Sequence, residues 1–123
     1  MRLLICLSGL LLLSASACGQ QHLRSTHAQL KELLKETLKE PVERRVLVRP
    51  VIPDSTTAVA VAEALTFDIY GDKQIRRQKP YQVALIDGYW VVTGSLPVGH
   101  VGGAFEVILD AKDGRVLRLA HGK

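Results

Sequence analysis

Residues 81–94 read YQVALIDGYWVVTG, two apolar runs on either side of Asp87-Gly88. Asp-Gly suits the two positive-φ positions of a type I′ turn, so the stretch predicts a β-hairpin. A two-residue turn also sets the register: Ile86 faces Tyr89, Leu85 faces Trp90, and Val83 faces Val92. Side chains alternate along a strand, which gathers Val83, Leu85, Trp90 and Val92 on one face, with Tyr81 and Gly94 at its far end. The other face carries Gln82, Ala84, Ile86, Tyr89, Val91 and Thr93 and is mixed, apolar near the turn.

The partner expected for the first face lies just upstream, in DSTTAVAVAEALTFDIY at 54–70. Asp54, Ser55 or Thr56 can cap a helix here. Ala58, Val61, Ala62, Leu65 and Ile69 then form one stripe, widened by Val59, Ala60, Ala64 and Phe67, with Glu63, Thr66 and Asp68 as its polar edge. So apolar a helix must bury a broad face, and Gly71 stops it in a backbone conformation that tolerates positive φ. Downstream, a glycine-rich loop over 97–103 leads to a second hairpin, 104–109 and 115–119, around Asp110-Ala111-Lys112-Asp113-Gly114. In its first strand Phe105, Val107 and Leu109 alternate with Glu106 and Ile108. The sum is an α+β domain, one apolar helix packed on a curved antiparallel sheet of about four strands. About 70 residues is near the lower limit for folding without staples; the helix and Trp90 are expected to supply the core, with Val, Leu and Trp inside.

The chain has 123 residues, which argues for one domain. Its first stretch reads as a leader: Arg2, an apolar run over 3–13, then Ala15, Ser16 and Ala17 before Cys18. That run is too short to span a bilayer. SASAC resembles a bacterial lipoprotein box, with Ala15 where leucine is preferred. Removal of the leader takes Cys6 with it and leaves Cys18 without an internal partner. A free or intermolecular thiol is the plain alternative; acylation accounts better for the position. The expected products are a signal peptide over 1–17, a lipidated tether, helix and connector over 18–49, and a domain over 50–123. The address is the bacterial cell envelope, with the outer membrane favoured because Gly19 follows Cys18.

After the tether, Thr26 and Gln29 have capping-box spacing. Leu30, Leu33, Leu34 and Leu38 make a thin apolar stripe, alternating acids and bases cover the rest, and Pro41 ends this amphipathic helix. It can lie on the domain, pair with another chain, or act as a spacer of roughly 20–25 Å at 1.5 Å per residue. Beyond it, Val46 and Val48 alternate with Leu47 and Arg49 and suit an extended connector, limited to an edge by Pro50 and Pro53.

Sixteen basic against twelve acidic residues give a net charge of only +4. With few aromatics and no recognition motif, nucleic acid is a poor partner. His22, His27, His100 and His121 lack metal-ligand spacing and read as surface residues, so no metal or cofactor is expected. Ser55 and Ser95 sit in no nucleophile elbow, and Asp87, Asp110 and Asp113 occupy turns that favour Asp locally. GHVGG lacks the spacing of a phosphate loop; Gly102-Gly103 suits a bulge or a close backbone approach. No catalytic constellation appears. One stretch points to recognition: in KQIRRQK, Lys73, Arg76, Arg77 and Lys79 follow one another with no acid between. The plain reading is a strand edge protected by charge; the functional one is a patch that steers an acidic partner, with Ile86 and Tyr89 adding an anchor.

The order IPDSTTA, IYG, KPY, DGYWVV, TGSLP, GG, KDGRVL and HGK resembles the nuclear transport factor 2-fold immunity protein family found beside bacterial polymorphic toxins. The resemblance covers about 70 residues and implies a helix on a curved sheet (cystatin-like, nuclear transport factor 2-like) with no enzymatic activity. It also implies neutralisation of a cognate toxin by direct binding, and it carries over no catalytic residue. The runner-up is an inhibitory or regulatory lipoprotein module similar to PepSY domains, acting on a peptidase or sensor; a small-ligand or peptide-binding domain is a third reading.

Overall fold

The computed structural model describes residues 23–45 and 50–122. The leader, Cys18, His22 and the extended stretch expected over 46–49 lie outside the described residues. Two compact units divide the chain between Thr37 and Leu38.

Helix α1 spans His27–Lys39. It opens with the capping box: Thr26 N–H donates to Gln29 Oε1 at 2.8 Å, and Gln29 N–H donates to Thr26 Oγ1 at 3.3 Å. Each side chain thus satisfies an amide that has no partner in the first turn. No residue of α1 is buried, and its four stripe leucines keep 53–65% of their surface exposed. After Pro41 the chain makes a helical turn, α2, Val42–Arg45. The Arg45 guanidinium donates to Leu38 O at 3.0 Å and Glu40 O at 2.8 Å, satisfying carbonyls stranded at the end of α1.

Helix α3, Ser55–Tyr70, is capped by Asp54, whose Oδ1 accepts from Thr57 N–H at 2.7 Å. It ends at Gly71, with φ of +86° and its N–H on Phe67 O at 2.8 Å. The buried line of α3 differs from the predicted stripe: it runs Ala58, Ala62, Thr66, while Ile69 is exposed. Thr66 is not on the polar edge, because its hydroxyl donates to Ala62 O at 2.7 Å and leaves only a methyl for the core. Small residues on this line let the helix lie close to the sheet.

The sheet is an antiparallel meander in the order β1 (Gln82–Ile86), β2 (Tyr89–Thr93), β3 (Phe105–Asp110), β4 (Val116–His121). The first hairpin has the predicted register, and Asp87 and Gly88 take φ of +49° and +83°. Trp90 stands opposite Leu109 and Val92 opposite Val107, all buried under α3 together with Phe105. Each such side chain contributes roughly 1.5–3 kcal/mol by leaving water. Leu85 lies on the predicted face but stays 54% exposed, since β1 is the sheet edge.

Three expectations need correction. The basic run 73–79 is not a strand edge: its first part forms a short helix α4, Asp72–Arg76, because Ile75 is fully buried and its N–H bonds Gly71 O at 3.1 Å. Strand β4 runs past Leu119 to His121, which pairs opposite Phe105 and is therefore no free surface histidine. Finally, the interior is not only aliphatic, since Gln78 is 2% exposed.

Candidate interaction site

Gln78 follows α4 and enters the domain where the ends of β2, β3 and β4 meet. Its Oε1 accepts from Phe105 N–H at 2.9 Å, which turns Nε2 toward His121 Nε2 at 3.1 Å. An amide nitrogen only donates, so His121 Nε2 accepts, and Nδ1 carries the proton that bonds Gly122 O at 2.9 Å. Both imidazole nitrogens are thereby engaged, and the ring lies 5.0 Å from that of Tyr70. The Gln78 carbonyl accepts from Ser95 N–H at 2.8 Å, while Ser95 Oγ donates to Pro80 O at 2.7 Å.

Two glycines make this packing possible. A Cβ on Gly94 would stand 2.1 Å from Gln78 Oε1, and one on Gly103 would stand 1.9 Å from the backbone carbon of Gly122. The sequence marks KPY, TGS, GG and HG, scattered over 79–122, therefore converge on one node.

Beside the node opens a cleft of about 690 Å³, bordered by Gln74, Arg77 and His121 on one side and by the 96–103 loop on the other. That loop is held by His100 N–H on Pro97 O at 3.0 Å and presents Val98 and Val101 fully exposed. Arg77 also lines a shallower groove of about 470 Å³ with Lys73 and Arg76.

The four basic residues differ in their surroundings. Lys79 Nζ lies 3.3 Å from Glu63 Oε1, and the Arg76 guanidinium stacks 4.7 Å over the Phe67 ring. Arg77 donates to Gln74 Oε1 at 2.7 Å and keeps its charge unpaired, as does Lys73 among the described residues. Ile86 and Tyr89 are paired at the turn end of the first hairpin, on the face away from α3. With about 3.3 Å of rise per strand residue, that is some 17 Å from the basic corner. The six residues singled out from sequence thus form two groups.

Among the described residues no three metal-ligating side chains come together. The corner offers exposed cations, amide donors and an apolar loop tip, the ingredients of recognition. Gln78, His121, Gly94 and Ser95 escape sequence reasoning; the one signal for Gln78 is an uncharged residue set inside a basic run.

The model of a family described as NTF2 fold immunity protein matches residues 57–123, from α3 to the end of the sheet. The chain is 30% identical over 100 residues to the uncharacterized protein YhhH of Escherichia coli (strain K12), covering 80% of this chain and 79% of that protein. It is 32% identical over 77 residues to the uncharacterized protein YbbC of the same strain, covering 62% of this chain and 63% of the other. No solved structure matches the chain.

Proposed function

We propose that this chain, which belongs to the NTF2 fold immunity protein family, binds a cognate protein toxin non-covalently and holds it inactive. The surface we assign to that contact is the corner built from Lys73, Arg76, Arg77 and Lys79 together with the neighbouring loop tip. The observation that carries this choice is that Arg77 and the fully exposed Val101 line one cleft, while Lys73 shares the adjoining groove with Arg77 and Val98 stands fully exposed in the same loop as Val101. Charge steers an acidic partner into encounter, and desolvation of Val98 and Val101 then slows its release. His121 and Gln78 bond each other and hold the platform.

The envelope address belongs to the same proposal. Acyl chains on Cys18 would hold the domain at a membrane surface, each buried methylene adding roughly 0.8 kcal/mol, and the outer membrane is the proposed site. A mature chain whose mass shows no acyl addition at Cys18 would remove that half of the reading.

The decisive experiment is affinity capture with the acylated, detergent-solubilised protein, followed by expression of each captured protein with and without this chain. A captured protein that is toxic alone and harmless in the presence of this chain supports the proposal. Recovery of a peptidase or sensor with no toxic species would overturn it in favour of a regulatory module.

A further inference from the structure

The two edges of the sheet are built differently. Strand β4 carries Arg118, follows Arg115, and pairs with β3 through a register shift between Ile108 and Leu109. Charge and irregularity of this kind keep an edge from pairing with other chains. Strand β1 has neither: QVALI is uncharged, and its register with β2 is regular over all five pairs. The two-residue turn makes Ile86–Tyr89 the closing hydrogen-bonded pair, so Val83 and Leu85 turn their N–H and C=O groups away from β2. Among the described residues no loop or cap backbone bond reaches them. Grooves flank this edge on both sides. One of about 410 Å³ lies between α3 and β1, lined by Ser55, Thr56, Val59, Tyr81 and Val83. The other, about 460 Å³, lies on the opposite face beside Gln82, Ala84 and Ile86.

We propose that the β1 edge pairs with β1 of a second copy of this chain, antiparallel about a two-fold axis at Ala84. In that register Ala84 faces itself, Val83 faces Leu85 and Gln82 faces Ile86. The outward groups of Val83 and Leu85 then close four backbone hydrogen bonds, and the small Ala84 side chain occupies the axis. Leu85, half exposed in one copy, arrives beside Val83 of the other, at the groove under Val59; the exchange is reciprocal, as a two-fold contact requires. Charges agree as well. The neutral strand brings no like charges together, and Asp87 of one copy comes opposite the neutral Tyr81 of the other, beside the Lys79–Glu63 ion pair. The pairing is independent of the toxin reading and of the basic corner.

The test uses the full acylated chain in an excess of detergent micelles. Sedimentation equilibrium is expected to give twice the polypeptide mass for the wild type. Leu85→Lys is expected to give the single mass with an unchanged circular dichroism spectrum, because Leu85 lies outside the buried core. In cells, Ala84→Cys is expected to form a reducible dimer, since the Ala84 pair is a non-hydrogen-bonded one with Cα atoms about 4.5 Å apart, within the span of a disulfide. Gln82→Cys alone should not, whereas Gln82→Cys combined with Ile86→Cys should. A wild type of single mass overturns the proposal, as does a dimer that survives Leu85→Lys or equal cross-linking by Ala84→Cys and Gln82→Cys. Slow exchange of the Val83 and Leu85 amides in a monomer also overturns it, because the edge would then be occupied from within the chain.

Discussion

The indole N–H of Trp90 donates to the carbonyl of Ile52 at 2.9 Å, and both residues are buried. This bond ties the segment before α3 to the second strand of the sheet. The same segment is held from the other side, with Ile52 N–H on Ala111 O at 3.0 Å and Ala111 N–H on Gly88 O at 3.0 Å. Trp90→Phe keeps an aromatic ring but strands the Ile52 carbonyl. An orphaned buried acceptor costs about 1–3 kcal/mol, so urea unfolding followed by circular dichroism should show a loss of about that size. An unchanged midpoint would mean that water replaces the indole.

Gly94 and Gly103 are expected to reject alanine in different ways. Gly94→Ala collides with the Gln78 side chain, Gly103→Ala with the Gly122 backbone. Overpacking costs roughly 1–3 kcal/mol where neighbours give way, and more where they do not. Adding Gln78→Ala should therefore recover part of the stability lost in Gly94→Ala and none of that lost in Gly103→Ala. Strict additivity in the first pair would show that the side chain is not the obstacle.

Tyr81 donates its hydroxyl to Glu63 Oε1 at 3.0 Å. Burial first, then the bond to Glu63 and its charge, push the hydroxyl up to about 12, against an opposing influence of Arg76. The folded chain thus holds this proton more tightly than the unfolded chain, where tyrosine ionises near 10. The contribution is fully present below about pH 10 and is lost as pH rises toward 12. The phenolate absorbance difference between wild type and Tyr81→Phe should appear near pH 12, and the variant should lose less stability between about pH 10 and 12. A difference curve centred near 10 would show that neither burial nor the Glu63 bond holds this proton.

Lys73→Glu with Arg77→Glu should slow association with a captured toxin by about tenfold or more at low salt, and flatten its dependence on ionic strength. These two are better probes than Arg76, whose guanidinium also packs on Phe67. Ile86→Ala and Tyr89→Ala, at the other end of the hairpin, should leave that rate unchanged. Equal slowing by both pairs would place the contact across the sheet rather than at the corner.

The parts of this fold that could be read in advance are those whose causes are neighbours in the chain. Asp87-Gly88 sets the turn and register of its own hairpin, Asp54 caps the helix that follows it, and Phe105, Val107 and Leu109 alternate as a half-buried strand must. The basic stretch at 73–79 defeated the same reasoning. It has no apolar period, and its helical turn depends on one residue, Ile75, finding the core. Thr66 was misplaced for a similar reason: a hydroxyl looks polar until it bonds its own helix.

Composition and local pattern determined an α+β domain of one apolar helix on an antiparallel sheet of about four strands, because turns, caps and alternation act over a few residues. Only tertiary structure decided where the chain presents its surface. Gln78 and His121 meet across 43 positions, and the glycines that admit them, Gly94 and Gly103, lie just after β2 and just before β3. Such a contact is set by which backbones lie close enough to exclude a Cβ, and that distance is written in no single stretch of sequence.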